Sequence, residues 1–360
     1  MSVVIYSFSK EAVHEGTLIL VNRDYPLKLR RQYLSGELTM VDARVSEILL
    51  RNVAALNLKN IFQRIESGDQ IVPVSGFRSL REQSELFDTS WLENGEEYTK
   101  KFVARPNQSE HQTGLAIDVA EYSEQIDFIC PEFSYEGIAM KFREIAAEYG
   151  FIERYPKGKE ELTGIAHEPW HFRYVGYPHS RIMTLLSMTL EEYVDYLKRF
   201  PYEQSFDGSI HLNEGLVYQY GYSEYHIYYV KAEENRTMIS LPSDCEFELS
   251  GNNVDGFILT VKKECDTGWN QERYLLNGER RITEKTMRTG ERKMTQELMP
   301  VENTMIDEGE ALTSQLILME STMISEGEAL AGRLMPAENT MISEGELLTS
   351  QLIPTGGKQV

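Results

Sequence analysis

The stretch SEHQTGLAID, which runs from Ser109 to Asp118, decides the fold because it joins a histidine and a carboxylate to the start of a strand. His111 and Asp118 stand seven residues apart, and the alternating apolar pattern of Leu115–Val119 predicts a strand that begins between them. Since successive side chains of a strand leave through opposite faces, Asp118 leaves through the face opposite to the apolar set. We therefore expect Asp118 to point toward whatever His111 holds.

A second cluster, His167–His171, reads HEPWH and directly precedes an aromatic and β-branched run that predicts another strand. A catalytic zinc ion takes three protein ligands and leaves a fourth position for water. The residues His111, Asp118 and His171 supply such a set. The water also needs a base that is not a ligand, and Glu168 is the candidate. A lone histidine is more often structural, but the two clusters together predict one zinc ion per chain.

The patterns around these clusters mix helical and strand character without a regular βαβ rhythm, which predicts the α+β class. Helices are predicted over 42–65, over 81–87 after a Ser79 cap, and over 135–149 before Gly150. Strands are predicted over 71–75, 115–119 and 171–175.

Composition divides the chain into three predicted regions: a mixed domain over 1–203, a small all-β accessory domain over 204–282, and an acidic tail over 283–360. In the accessory domain, the runs Leu216–Tyr220 and Tyr225–Val230 flank GYS and predict a hairpin within four to six strands. The tail repeats TMIxEGExL with starts 18 residues apart, at Thr304, Thr322 and Thr340. We expect short helices or hairpins there and no chemistry.

Bulk properties exclude some classes of function. The formal net charge of -21 argues against nucleic acid as a partner, because phosphate binding needs a basic patch. No stretch approaches the roughly 20 apolar residues of a membrane span, and no signal peptide is recognisable, so a cytoplasmic location is expected. Three cysteines make no disulfide framework, although Cys245 and Cys265 could pair if the protein were exported.

The motifs SEHQTGLAID and EPWH match the signatures SxHxxGxAxD and ExWH, and on them the chain resembles the D-Ala-D-Ala metallopeptidases of the LAS group (lysostaphin, D-Ala-D-Ala peptidase, hedgehog). The chain is more similar to the VanY and VanXY-type carboxypeptidases of glycopeptide-resistant bacteria. Supporting segments are GFRSLREQ (76–83), FVARPNQ (102–108), GFIERYPKGKE (150–160) and EPWHFRYVGYPHS (168–180). The resemblance covers roughly residues 20–200 and implies a LAS/hedgehog-like domain with a central antiparallel sheet.

The resemblance assigns a role to each position that matches a family motif. It implies His111, Asp118 and His171 as zinc ligands, Glu168 as general acid and base, Arg78 as the cation that stabilises the oxyanion, and Gln83 and Ser109 as hydrogen-bonding partners of the substrate's terminal residues. Tyr155 and Trp170 are expected to pack and shape the pocket. The chain departs from the family at Phe77, where a tyrosine is common.

The implied activity is a zinc D,D-carboxypeptidase that removes the terminal D-Ala from peptidoglycan precursors such as UDP-MurNAc-pentapeptide, with D,D-dipeptidase activity on D-Ala-D-Ala as a further expectation. Such an activity contributes to vancomycin resistance. Pro169 in EPWH favours the carboxypeptidases, because strict dipeptidases usually carry a second tryptophan there.

Two alternatives stay open. One is a cell-wall-associated L,D-carboxypeptidase or endolysin-like peptidase, which would need export. The other is a non-catalytic zinc-binding module, against which the presence of Glu168 weighs. The sequence does not predict an oligomeric state.

Overall fold

The computed structural model describes residues 3–28, 38–42, 47–203 and 215–275, with side chains described up to residue 264. All of these residues lie in one compact unit, Met1–Val301; a second unit, Glu302–Val360, lies outside the described residues and contains the predicted repeats. The helices are α1 Asn52–Arg64, α2 Leu80–Asn94, α3 Glu96–Phe102, α4 Gly137–Ala146, α5 Glu160–Thr163, α6 His179–Leu185 and α7 Leu190–Leu197. The strands are β1 Val3–Ser9, β2 Leu38–Met40, β3 Leu49–Arg51, β4 Ile71–Ser75, β5 Ala116–Glu121, β6 Phe151–Tyr155, β7 Glu168–Tyr174, β8 Leu216–Lys231, β9 Arg236–Pro242, β10 Glu246–Gly251 and β11 Gly256–Leu275.

A four-stranded sheet in the order β4-β5-β7-β6 forms the centre of the first two hundred residues. Every neighbouring pair in it is antiparallel, so the predicted central antiparallel sheet and the mixed helix-and-sheet class are confirmed. On β5, Ile117 and Val119 are fully buried, whereas Asp118 leaves through the other face, as the alternation predicts. The sheet therefore separates an apolar face from the face that carries the polar motif.

Helices α1 and α4 cover the apolar face of this sheet. Their buried side chains join those of β5 and β7 in one cluster, which includes Ala54, Leu58, Ile61, Ala139, Phe142 and Phe172. Burial of such apolar side chains supplies the main favourable term for folding, at roughly 25 cal/mol per Å² of apolar surface. The opposite face is left for polar residues.

The helix predicted over 42–65 is correct only from Asn52 onward. Leu49–Arg51 form β3, which pairs antiparallel with β2, and the backbone oxygen of Leu49 accepts a 2.6 Å hydrogen bond from the backbone N–H of Phe77. Ile48 and Leu49 fit a helical repeat in sequence, but pairing with distant backbone overrides that local pattern. Residues 43–46 lie outside the described residues.

Helix α2 begins at the predicted cap. The side chain of Ser79 accepts from the backbone N–H of Glu82, whose carboxylate accepts from the backbone N–H of Ser79, so the two form a capping box. The helix runs to Asn94, beyond the predicted end at residue 87, and stops at Gly95. Helix α4 and the 3-10 turn Ala147–Tyr149 end at Gly150 in the left-handed conformation, as predicted.

The hairpin predicted around GYS (221–223) is wrong. Strand β8 runs unbroken from Leu216 to Lys231 and pairs along its length with β11. Gly221, with φ +61, pairs with Trp269 between two register shifts of that ladder, so it accommodates an irregularity within a strand and does not form a turn.

Strands β10, β11 and β8 form one three-stranded sheet, whereas β9 pairs with β1 from the other end of the chain. The three-stranded sheet shares a buried cluster with α6 and α7, which includes Ile182, Tyr193, Leu197, Tyr218, Ile227 and Ile258. Because this buried cluster joins residues from both sides of 203/204, it does not separate a peptidase domain from an accessory domain. The boundary at 203/204 stays a prediction.

In the part of the chain that the structure describes, none of the helices combines the length and the apolar character that a membrane span requires. Cys130 and Cys245 are free thiols, and the side chain of Cys265 lies outside the described side chains.

Candidate metal and catalytic site

His111 sits on the 3-10 turn Glu110–Thr113, which leads into β5. Its Nδ1 lies 2.7 Å from the backbone oxygen of Gly76. Because a carbonyl oxygen only accepts, Nδ1 carries the proton, and Nε2 keeps its lone pair. That Nε2 faces Oδ2 of Asp118 at 3.1 Å.

Asp118 and His171 are opposite each other in the antiparallel pair of β5 and β7. Nδ1 of His171 lies 2.9 Å from Oδ1 of Asp118. That approach lacks hydrogen-bond geometry, so Oδ1 is a buried oxygen with no hydrogen-bond partner among the described residues. Such an orphaned carboxylate oxygen between two imidazoles fits a bound cation.

The structure thus brings together the three residues that the sequence predicts as metal ligands. One donor atom from each of His111, Asp118 and His171 lies within 4.8 Å of the others, and all three side chains are buried. Two imidazoles and one carboxylate are a donor set typical of a catalytic zinc site with an open fourth position.

Burial and mutual contact set the charge states of these ligands. Burial and the nearby Arg78 guanidinium lower the pKa of His111 to about 4, so its imidazole is neutral. Burial raises the pKa of Asp118, but His111 and His171 outweigh burial and hold that pKa well below the ordinary value. For His171, burial lowers the pKa, and the carboxylate of Asp118 outweighs it, so the pKa rises to about 9. The neutral His111 and the anionic Asp118 are therefore in the charge states that metal binding requires of these side chains.

Glu168 is the first residue of β7, and the strand therefore starts three residues earlier than the predicted start at 171. Its Oε2 lies 3.6 Å from Nδ1 of His171, and its side chain is buried. Burial raises the pKa of Glu168 to about 8; His171 opposes this rise, and Asp118 adds to it. A carboxyl with a pKa near neutrality, beside the three donors, is suited to moving a proton.

Arg78, predicted to stabilise the oxyanion, and the predicted substrate-binding residues Gln83 and Ser109 line the same cleft. The backbone N–H of Arg78 donates to the backbone oxygen of His111 at 3.2 Å, and the buried Nε of Arg78 has no hydrogen-bond partner among the described residues. Gln83 is only 1% exposed; its Nε2 donates to the backbone oxygen of Ala104 at 2.7 Å, and its Oε1 has no partner within the described ranges. Ser109 is buried in the cleft wall.

The cleft has an empty volume of about 480 Å³, including the solvent at its mouth. Tyr155 and Trp170 are buried in its wall, as predicted for residues that shape the pocket. The polar and charged residues of its lining are Arg78, Gln83, Ser109, Glu110, His111, Asp118, Glu168 and His171. The apolar and aromatic residues are Leu86, Phe102, Val103, Ala104, Phe128, Ile129, Tyr155, Ile165 and Trp170.

Sequence reasoning missed the role of Glu110. It is 1% exposed, and its Oε1 accepts from Nε of Arg154 at 2.8 Å and from a terminal nitrogen of Arg173 at 2.7 Å. Glu110 stands in the motif directly before His111, but the sequence gives no signal of its burial, because the neighbour of a buried residue can be exposed. His167, in contrast, lies to the side, where its Nε2 is 2.8 Å from the hydroxyl of Tyr135.

Comparisons with known proteins show which family this chain resembles. The model of the VanY family, described as D-alanyl-D-alanine carboxypeptidase, matches residues 47–177. The chain is 43% identical over 183 residues to the bifunctional D-Ala-D-Ala dipeptidase and D-Ala-D-Ala carboxypeptidase VanXYC of Enterococcus gallinarum, an alignment that covers 51% of this chain and 95% of that one. It is 33% identical over 267 residues to a D-alanyl-D-alanine carboxypeptidase of Enterococcus faecium, which covers 71% and 78% of the two chains.

Among solved structures, the chain is similar to the vancomycin resistance D,D-dipeptidase VanXYg in complex with a D-Ala-D-Ala phosphinate analogue. The TM-score is 0.67 at 46% identity, and the superposition covers 73% of this chain and all of that chain. The similarity therefore extends beyond the residues that carry the metal motif.

Proposed function

Because the chain belongs to the VanY family of D-alanyl-D-alanine carboxypeptidases, we propose that it is a zinc-dependent D,D-carboxypeptidase that removes the terminal D-Ala from peptidoglycan precursors. The observation that carries this proposal is the convergence of donor atoms from His111, Asp118 and His171 within 4.8 Å, with Oε2 of Glu168 3.6 Å from Nδ1 of His171. This activity contributes to vancomycin resistance, as the name of VanXYg states for that relative.

His111, Asp118 and His171 would hold the zinc ion through Nε2, a carboxylate oxygen and Nδ1, the atoms that face one another. When bound, zinc supplies the Lewis acidity that makes water a nucleophile at neutral pH. The orphaned Oδ1 of Asp118 supports this assignment, because a buried carboxylate oxygen needs a partner.

Glu168 moves the proton. As a carboxylate it accepts a proton from the attacking water at Oε2, and as a carboxylic acid it gives that proton to the amine of the departing D-Ala. Without metal, burial raises the pKa of Glu168 to about 8, because burial disfavours the charged form. A cation bound at the three donors would lower that pKa and favour the carboxylate that accepts the proton. The Glu168 side chain is buried beside the three proposed ligands.

Arg78 supplies the positive charge of the cleft. Its guanidinium would face the scissile carbonyl, where negative charge develops as the water attacks. The backbone hydrogen bond from Arg78 to His111 fixes its position relative to the ligands. Gln83 is held by Ala104 through Nε2, which leaves Oε1 to accept from an N–H of the substrate, and the Ser109 hydroxyl would contact the terminal residues.

The substrates are peptides that end in D-Ala-D-Ala. VanXYC is named for both dipeptidase and carboxypeptidase activity, and we propose both for this chain, with the pentapeptide precursor preferred on account of Pro169. The relatives favour neither the L,D-carboxypeptidase or endolysin-like alternative nor a non-catalytic zinc-binding module. A cytoplasmic location stays a prediction, which cell fractionation would test.

The test is a D-Ala release assay on UDP-MurNAc-pentapeptide and on free D-Ala-D-Ala. The zinc-loaded protein should release D-Ala from the pentapeptide, lose that activity after a chelator strips the metal, and regain it with added zinc. His171→Ala should neither bind one zinc per chain nor cleave, whereas His167→Ala, outside the ligand set, should do both. No cleavage of the pentapeptide by zinc-loaded protein would contradict the proposal.

A further inference from the structure

Glu110 occupies a buried position between two arginines and a metal ligand. Oε1 accepts from Arg154 at 2.8 Å and from Arg173 at 2.7 Å, so that oxygen is fully engaged. The other oxygen, Oε2, is buried and has no hydrogen-bond partner among the described residues. It lies 3.7 Å from Nε2 of His171, so the free oxygen faces the ring of a metal ligand.

The two nitrogens of His171 face different groups. Nδ1 lies 2.9 Å from Asp118, within the ligand set, whereas Nε2 lies on the far side of the ring toward Glu110. Nε2 is also buried and without a hydrogen-bond partner in the described part of the chain. A neutral imidazole carries its proton on one nitrogen only, so the partner of Nε2 decides which nitrogen offers a lone pair.

The position of Glu110 is fixed by charges that lie further from the metal. Arg154 also donates to both carboxylate oxygens of Glu191 on α7, at 2.9 and 2.6 Å. Arg173 also donates to the backbone oxygens of Thr17 and Ile19, at 2.9 and 3.0 Å. Two carboxylates, those of Glu110 and Glu191, thus pair with two buried guanidinium groups and hold Glu110 in place.

We propose that Glu110 is a positioning residue for His171: the negative charge of its Oε2, 3.7 Å from Nε2, favours the proton on Nε2 and so keeps the Nδ1 lone pair directed at the metal. The opposite arrangement holds at His111, where the Gly76 carbonyl fixes the proton on Nδ1 and leaves Nε2 for the metal. Carboxylates that accept from a ligating histidine fix the orientation of its ring and raise its basicity. The inference rests on the proposed function, because it takes His171 as a metal ligand.

The first test compares Glu110→Gln with Glu191→Gln. Both variants remove a carboxylate from Arg154, so both should lower the Tm of the metal-free protein. Only Glu110 faces His171. Zinc affinity, measured by competition with a chromophoric chelator, should fall about 10- to 100-fold in Glu110→Gln and stay at the wild-type value in Glu191→Gln. Equal zinc affinity in Glu110→Gln and wild type would overturn the inference, and so would equal losses in the two variants.

The second test needs no substitution, because the loss of a buried charge can unfold a variant. In long-range ¹H–¹⁵N spectra of the wild-type protein loaded with zinc, His171 should show metal on Nδ1 and a slowly exchanging proton on Nε2. His111 should show the reverse. Metal on Nε2 of His171, or no proton there, would contradict the role of Glu110. A wild type that binds no zinc would instead contradict the proposed function, so the two failures are distinguishable.

Discussion

Nδ1 of His171 lies 2.9 Å from Oδ1 of Asp118, across two antiparallel strands in which these residues are directly opposite. Two of the three proposed ligands are therefore placed by the hydrogen-bonding ladder of the central sheet and do not depend on a loop. The third, His111, is tied to the sheet's edge through the carbonyl of Gly76. A site whose residues lie on paired strands is preorganised. Substitutions of neighbouring side chains should therefore change the catalytic rate more than the positions of the proposed ligands.

Glu168→Gln removes the proposed base and keeps the size of the side chain. D-Ala release should fall by about 10²- to 10⁴-fold, because positioned acid–base groups contribute that much, while zinc stays near one per chain. Glu161→Gln is the control, since Glu161 is an exposed carboxylate on α5. Unchanged turnover in Glu168→Gln would leave the mechanism without a base.

The raised pKa of Glu168 should also appear in the pH dependence of stability. In the metal-free protein, folded Glu168 keeps its proton up to about pH 8, whereas the unfolded chain releases it near the ordinary value of 4.5. The contribution to stability is thus fully present below pH 4.5 and is lost as pH rises through about 8. The Tm of metal-free wild type should fall relative to that of Glu168→Gln across this window. Parallel Tm curves for the two proteins would contradict the pKa assignment.

Arg78→Ala should lower kcat for D-Ala release by about 10²- to 10³-fold, because one donor to a developing oxyanion contributes about that much. Zinc content should stay near one per chain in protein loaded with excess zinc, since Arg78 supplies none of the three donor atoms. Arg81→Ala is the control, because Arg81 is an exposed residue on α2 whose side chain pairs with Glu85. A change confined to KM would instead assign Arg78 to ground-state binding.

Gly114 lies between His111 and Asp118 in sequence and has φ +69; a Cβ atom there would come within 2.9 Å of Leu38 Cδ2 and 3.2 Å of Arg51 Cγ. Gly114→Ala should lower the free energy of unfolding by about 1–3 kcal/mol from backbone strain, with crowding added. Gly158→Ala has a similar φ of +85 but meets nothing within 4 Å, so it isolates the strain. Urea denaturation should show the larger loss for Gly114→Ala; equal losses would mean that the contacts relax without cost.

The convergence of His111, Asp118 and His171 beside Glu168 could be predicted from sequence, because spacing and alternation together constrain these positions. The strand alternation turned Asp118 away from the apolar core, and the two clusters supplied complementary donors. The partners of Glu110 could not be predicted, because a sequence does not distinguish buried arginines from exposed ones. Arg154 and Arg173 are completely buried, which charged side chains tolerate only when they are paired.

The two errors in secondary structure share one cause. Leu49 was assigned to a helix and Gly221 to a turn from local patterns alone, yet each is held in a strand by backbone far away in sequence. Leu49 pairs with Met40, and Gly221 pairs with Trp269. Local preference is worth at most about 1 kcal/mol per residue, less than the tertiary pairing that opposes it.

The pairing of β1 with β9 has a consequence for biosynthesis. Val3 lies opposite Pro242, so β1 leaves the ribosome more than two hundred residues before its partner strand β9. Contacts between segments that are distant in sequence slow folding. Until β9 is synthesised, the unpaired apolar strand VVIYSFS can associate with other chains. We therefore expect nascent chains that stall before residue 236 to bind chaperones through this strand.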